Sequence, residues 1–430
     1  MIYDLLLKNA CIIDEEGSIS KNNDIYVQNG IIAKISTQQN ETFSAKEKVD
    51  CEELFVTPGL VNLHTHSPMT VFRGMAEDVH IDDWFNKIIW PYESRMNEKD
   101  AYAGTIAAIE EMINNGVTAF ADHYMFADSI CDAAIEMGIK ADIAPTLFGV
   151  ADEFDRNLEE VSQLILKRQG LHNRIHLRMG PHSPYTCPGK TLKNIVDRAK
   201  SLEVGIHIHV SETLRQVEES LDFQSMTPFE VIEEAGGFQV PCILAHGLWI
   251  TDEDRKRLNK QTYFAVSPKT YMKLSMGAGH IWENSNELPL CTGTDGAASS
   301  NTLNPLEQAR IYALVGKMVT GSSTDFDLQF VWKMLMRGHG ALSFNSGKIK
   351  EGYAADLVVW DLAKCNTFPI YDPLASLIYG AESGNILHTI IDGKFLKKEG
   401  EVQIKSDRSS LLNRSEDIIG RGKGESNLKF

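Results

Sequence analysis

FVTPGLVNLHTH, residues 55–66, is an apolar stretch that ends in two histidines one residue apart. Side chains alternate between the faces of a strand, so His64 and His66 project on the same side, close enough to grip one cation. Metal-binding groups at the C-terminal end of a strand suit a barrel of parallel strands, because that architecture builds its active site on the rim where the strands finish. Seven further stretches of this kind follow: VTAFADHY (117–124), KADIAPTL (140–147), RIHLRMGPH (174–182), VGIHIHVSE (204–212), CILAHGLW (242–249), TYFAVSPK (262–269) and LPLCTGTDG (288–296). The chain between them is long enough for crossover helices, and eight such strands point to an α/β fold, a (β/α)8 TIM barrel.

One helix is clearly bounded: Asn97 can cap it, apolar residues recur at Tyr102, Ile106, Ile109 and Ile113, and Gly116 stops it. Ser129 to Met137 reads as a shorter one. The pattern changes at both ends of the chain. DLLLKNACIID (4–14) and DIYVQNGIIAKIS (24–36), turning at Asn29-Gly30, read as short strands, as do AADLVVWD (354–361) and HTIIDGKFLKKEGEV (388–402), turning at Asp392-Gly393. Neither end can bury a core alone. The expected organisation is therefore a small β-sandwich-like domain assembled from residues 1–56 and 346–430, beside a barrel of residues 57–345. The polar tail after about Asp407 is expected to be loosely held.

With 430 residues, 43% hydrophobic and 23% charged, the chain has the composition of a globular protein. A net charge of −17 argues against nucleic acid or an anionic membrane surface as partner, since both are polyanions. No apolar run approaches the roughly 18 residues that cross a bilayer, and the start carries acids where a secretory leader carries bases, so a cytoplasmic location is expected. The seven cysteines are scattered, with no C-x-x-C pair, which signals neither a disulfide framework nor a thiolate zinc site. A small molecule is the expected partner, and a homo-oligomer, dimer or tetramer, is compatible with the chain.

Histidines 182, 209 and 246 also fall at or near strand ends, and Asp295 closes the eighth stretch. A lone histidine at such a position is commonplace, and Asp295 taken alone could cap the next helix. Their coincidence on one rim points instead to a metal centre, in which His209, His246 and Asp295 can complete the shell begun by His64 and His66. A mixed nitrogen and carboxylate shell suits one divalent ion, zinc first, with iron or nickel as alternatives. Glu212 lies three residues past His209, off its pleated face unless the strand has ended and turned back. A carboxyl there can shuttle a proton without binding the metal.

VTPGLVNLHTH, IHVSET, LAHG and GTDGAASSN, in this order and spacing, resemble the amidohydrolase superfamily in its mononuclear, amine-releasing branch. HTHSPMTVFRGMAEDVHIDDWFNKIIWPYE (64–93) and GPHSPYTCP (180–188) resemble the 5-methylthioadenosine and S-adenosylhomocysteine deaminases. This resemblance covers nearly the whole chain and implies hydrolytic release of ammonia from the aminopurine of a nucleoside. It implies His64, His66, His209 and Asp295 as metal ligands, His246 as holder of the attacking water, and Glu212 as the acid that protonates the ring nitrogen. Asp295 can then also take the water's proton. By the same resemblance Glu93 holds the ribose hydroxyls, His182 contacts the nucleoside, Trp84 walls the pocket (core packing being its plain alternative) and Ser299 lies near the base.

There is one departure from the family pattern. Homocysteine-containing substrates are held in these enzymes through their carboxylate by arginines after the third strand. Here only Arg156, in DEFDRNLEE, matches, and TLFGVADE places Leu147 or Phe148 where the second is expected. A carboxylate left buried without its clamp is costly, which favours methylthioadenosine, adenosine or another neutral nucleoside over S-adenosylhomocysteine. RIHLRMGPH lacks the lysine that bridges two metals in the binuclear branch, so a single ion is expected. The runner-up reading is an enzyme acting on a free base or other N-heterocycle, such as guanine, cytosine or a triazine; a catalytically silent barrel scaffold would be expected to have lost ligands that this chain retains. His80, His123, His207 and His280 stay without a role, although His207 shares the face of His209 and is read as supporting a ligand rather than being one.

Overall fold

The computed structural model describes residues 2–37 and 43–421. Its strands are β1 (Ile2–Ile13), β2 (Ile19–Gln28), β3 (Ile31–Ser36), β4 (Ser44–Asp50), β5 (Phe55–Pro58), β6 (Leu60–Thr65), β7 (Val117–Tyr124), β8 (Lys140–Leu147), β9 (Ile175–Leu177), β10 (Gly180–Pro181), β11 (Ile206–Val210), β12 (Cys242–His246), β13 (Thr262–Val266), β14 (Leu290–Thr292), β15 (Leu357–Trp360), β16 (Ile386–Ile391), β17 (Lys394–Lys398) and β18 (Glu401–Val402). The first five and the last four form one nine-stranded sheet in the order β18-β17-β16-β15-β5-β1-β2-β3, with β4 paired to β1. Both expected hairpins are there: β2 meets β3 across Asn29-Gly30 and β16 meets β17 across Asp392-Gly393, with all four turn residues at positive φ. Two-residue turns of that hand match the twist of paired strands. Leu5, Leu7, Ile25, Val27, Val56, Leu357, Val359 and Ile390 give this sheet a core of its own.

The middle of the chain has a TIM-barrel-like α/β architecture of parallel strands. β6, β7, β8, β9 and β10 make one parallel sheet, and β11, β12, β13 and β14 make another. The eight stretches therefore do not form one uninterrupted ladder. Between the two sheets lies a single parallel bridge, Met179 to Ile206. At the other seam the amides of Thr294 and Asp295 both donate to the carbonyl of His64, at 2.9 and 3.0 Å. Small inward residues such as Ala119, Ala121 and Ala265 pack with Val61, Leu63 and Ile243 beneath the rim. Helices cover the outside; the longest, Glu98–Asn114, carries the expected Asn97 cap as a reciprocal box with Asp100.

Three expectations are corrected. The opening stretch 55–66 is two strands: β5 belongs to the terminal sheet and β6 to the barrel, and between them lies Gly59, where a Cβ would come 2.1 Å from the Thr118 hydroxyl and only glycine fits. RIHLRMGPH likewise yields the two short strands β9 and β10. The tail is not loose as far as it is described: Arg408–Gly420 is a helix with Ile418 fully buried, and Arg421 pairs with the buried Asp100. Residues 422–430 lie outside the described ones. No helix among the described residues is long and apolar enough to cross a membrane.

Candidate active site

His64 lies in β6, His66 just beyond it, His209 in β11 and His246 at the end of β12; Asp295 follows β14 by three residues. All five are buried or nearly so and meet at the rim. His66 Nε2 lies 3.2 Å from an Asp295 oxygen and 3.4 Å from His209 Nε2, and His64 Nε2 lies 3.7 Å from the same Asp295 oxygen. One donor atom from each of His64, His66 and His209, and one from each of His64, His246 and Asp295, lie within 4.8 Å of one another. Three strand ends leave the ladder through left-handed backbone, at Ser211 (φ 45°), His246 (φ 72°) and Asp295 (φ 59°). Such conformations are costly away from glycine and persist where the surroundings impose them, as at a site where side chains must be aimed.

The donor set fits a divalent cation. The buried His64 Nε2 has no hydrogen-bond partner, an orphan that a ligand bond would satisfy. His66 Nδ1 faces the carbonyl of His123 at 2.6 Å and His209 Nδ1 that of His182 at 2.8 Å; a carbonyl only accepts, so each ring keeps its proton on Nδ1 and turns Nε2 toward the cluster. Burial works to neutralise the group, yet Asp295 raises the His66 pKa to about 9, and the His64 and His66 rings hold Asp295 well below the usual carboxylate range. His209 is pushed down to about 4, chiefly by burial. His66 and Asp295 thus form a buried ion pair, and a cation taking this site would displace the proton from His66 Nε2.

Glu212 resolves as the geometry requires. β11 ends at Val210, the backbone reverses at Ser211, and the Glu212 carboxylate returns over the site, 3.7 Å from His246 Nε2 and 3.3 Å from the Gln216 amide. Burial raises its pKa. Two buried carboxyls on one wall are therefore pushed in opposite directions, Glu212 toward the acid and Asp295 toward the base.

These groups open onto a cavity lined by His66, His209, Glu212, His246 and Asp295 at one end and by Trp84, Glu93 and His182 among others. Glu93 is 7% exposed, its pKa raised by burial. The Trp84 indole N–H has no protein acceptor. His182 stacks on Phe148 with ring centres 4.8 Å apart. Two expected contacts are placed elsewhere. Ser299 does not line the cavity; it donates to Asp295 at 2.8 Å and so holds that carboxylate. Arg156 is exposed on the outside of helix Phe154–Arg168, paired with Glu153 and Glu160, because Phe154 and Leu158 take the inward face.

Sequence reasoning missed Tyr124 and Tyr185 in the cavity wall, and Asp122, which accepts from the Ser67 amide at 2.9 Å and steadies the turn after His66. Of the histidines without a role, His80 caps a short helix and His280 is exposed beside Glu283. His123 lines the cavity, and His207 touches His64. The pleat of β7 and β11 carried that signal, since alternate residues there face the barrel.

The sequence model of the amidohydrolase family matches residues 55–396. The 5-methylthioadenosine/S-adenosylhomocysteine deaminase of Dictyoglomus turgidum is 33% identical over 430 residues, 96% of this chain and 99% of that one. The 5′-deoxyadenosine deaminase of Methanocaldococcus jannaschii is 34% identical over 425 residues, 96% and 98% of the two chains. A solved structure of a zinc-bound adenosine deaminase from Xanthomonas campestris superposes with a TM-score of 0.91 at 26% identity, over 98% of this chain and 99% of that one. With the family pattern spanning both the metal-binding rim and the strands that carry it, the chain belongs to the amidohydrolase family.

Proposed function

We propose that this chain is a hydrolytic deaminase that releases ammonia from the aminopurine of a neutral nucleoside, leaving the inosine-type product. The observation that carries the reading is the pair of buried carboxyls, Glu212 and Asp295, biased toward opposite protonation states beside a donor set for one cation. His64, His66, His209 and Asp295 would hold a divalent ion, zinc by the chemistry of the donors, which when bound would supply the Lewis acidity that makes a water acidic near neutrality. Asp295 receives that water's proton while His246 orients the oxygen. Glu212 gives its own proton to the ring nitrogen, the amine-bearing carbon becomes tetrahedral, the amine takes the proton held by Asp295 and leaves as ammonia, and the added hydroxyl returns its proton to Glu212 as the ring carbonyl forms. We infer that the two parallel sheets act as one closed (β/α)8 ring of residues 57–345, with residues 1–56 and 346–430 as the composite β domain.

Charge narrows the substrate. Among the described residues no lysine or arginine lines the cavity, whereas Glu93, Glu212 and Asp295 do. A carboxylate on the 5′ substituent would find no lysine or arginine among these lining residues. Ammonia release is expected from methylthioadenosine, 5′-deoxyadenosine and adenosine, with kcat/KM for S-adenosylhomocysteine lower by about 100-fold, the effect of leaving its carboxylate without a cationic clamp. Comparable rates on guanine, cytosine or a triazine would favour the free-base reading instead. Glu93→Ala separates the two further: KM for nucleosides should rise sharply while free bases are unaffected, and equal effects on both would end the nucleoside reading.

A further inference from the structure

Three histidines aim Nε2 at the cluster, and they are anchored in two different ways. His66 and His209 are held through Nδ1 by main-chain carbonyls, which no side-chain substitution can remove. His64 is held by a side chain: its Nδ1 lies 3.0 Å from Nε2 of His207, and both rings are fully buried. His207 has no other side-chain hydrogen bond among the described residues, since its Nδ1 is without a partner. It sits on β11 two residues before His209, on the same inward face and one layer deeper.

We propose that His207 is the positioning residue for His64, accepting the hydrogen bond that frees His64 Nε2 to bind the ion. Two facing imidazole nitrogens share one proton. When it is on His64 Nδ1, His64 Nε2 keeps a lone pair for the cation and His207 accepts. When it is on His207 Nε2, the proton of a neutral His64 is displaced to Nε2, where it points at Asp295 and blocks the ligand position. Loading the site therefore sets the tautomer of both rings, and the acceptor at position 207 decides how readily His64 ligates.

This inference rests on the metal-centre reading, and its test separates the two. Divalent-ion retention is measured by metal analysis against a graded chelator for wild type, His207→Leu and His207→Gln; glutamine keeps an acceptor oxygen that leucine lacks. Wild type should hold one ion per chain, and its failure to do so would sink the metal centre itself. The leucine variant should bind about 10- to 100-fold more weakly, and the glutamine variant within a few-fold of wild type. A leucine variant as tight as wild type, or a glutamine variant as weak as leucine, overturns the assignment. Nitrogen-15 NMR of the zinc-loaded wild-type histidines gives a readout independent of any variant's folding: His207 should be protonated at Nδ1 and bare at Nε2, and the reverse tautomer contradicts the proposal.

Discussion

Glu212→Gln is expected to lower kcat by about 1,000-fold while the protein keeps its divalent ion and KM changes little. Glutamine has the shape of the acid and can still meet Gln216, but it has no proton to give the ring nitrogen, and positioned acid–base groups are worth about 100- to 10,000-fold. Retention of the ion follows because Glu212 is not among the grouped ligand atoms. The reaction needs Glu212 protonated, and burial raises its pKa above that of a free carboxyl. Wild-type activity is therefore present below that raised pKa and falls as pH climbs through it, a limb the glutamine variant should lose. Steady-state kinetics across pH with metal analysis of both proteins checks this. A glutamine variant with near-wild-type kcat would remove Glu212 from the chemistry.

Asp295→Ala should have the larger effect, on the order of 10,000-fold or more in kcat, together with loss of the ion. Asp295 is at once the only carboxylate in the two candidate ligand groups, a neighbour of His66 Nε2 at 3.2 Å, and the proposed base on the attacking side. Its removal leaves histidines alone around a cation in a buried site, with no negative charge to offset it. Metal content and single-turnover rates on the same preparation test the prediction. A variant that retains both a stoichiometric ion and measurable turnover would show that the base lies elsewhere.

Much of the site was legible in the sequence because its parts are local. His64-Thr65-His66 needs only the pleat of one strand, and Asp295 and His246 follow from where apolar runs stop. What escaped depends on distant packing or on the phase of an element. The apparently continuous strand breaks at Gly59, where Thr118, nearly sixty residues away in sequence, occupies the space a side chain would need. Arg156 stands beside the right segment, but its helix turns it outward, and a motif match carries no helical phase. Ser299 holds the Asp295 carboxylate instead of the base, a difference of one hydrogen bond that spacing cannot reveal. The C-terminal helix looked like a polar tail because its anchors, Ile418 and the pairing of Arg421 with Asp100, only have meaning against helix Glu98–Asn114.

The most direct test of the account is a zinc titration of chelator-treated, metal-free protein, following ammonia release from methylthioadenosine. Activity should be absent at the start, rise in proportion to added zinc and break at one equivalent per chain. Full turnover before any metal is added, or a break at two equivalents, would contradict a single cation held by His64, His66, His209 and Asp295.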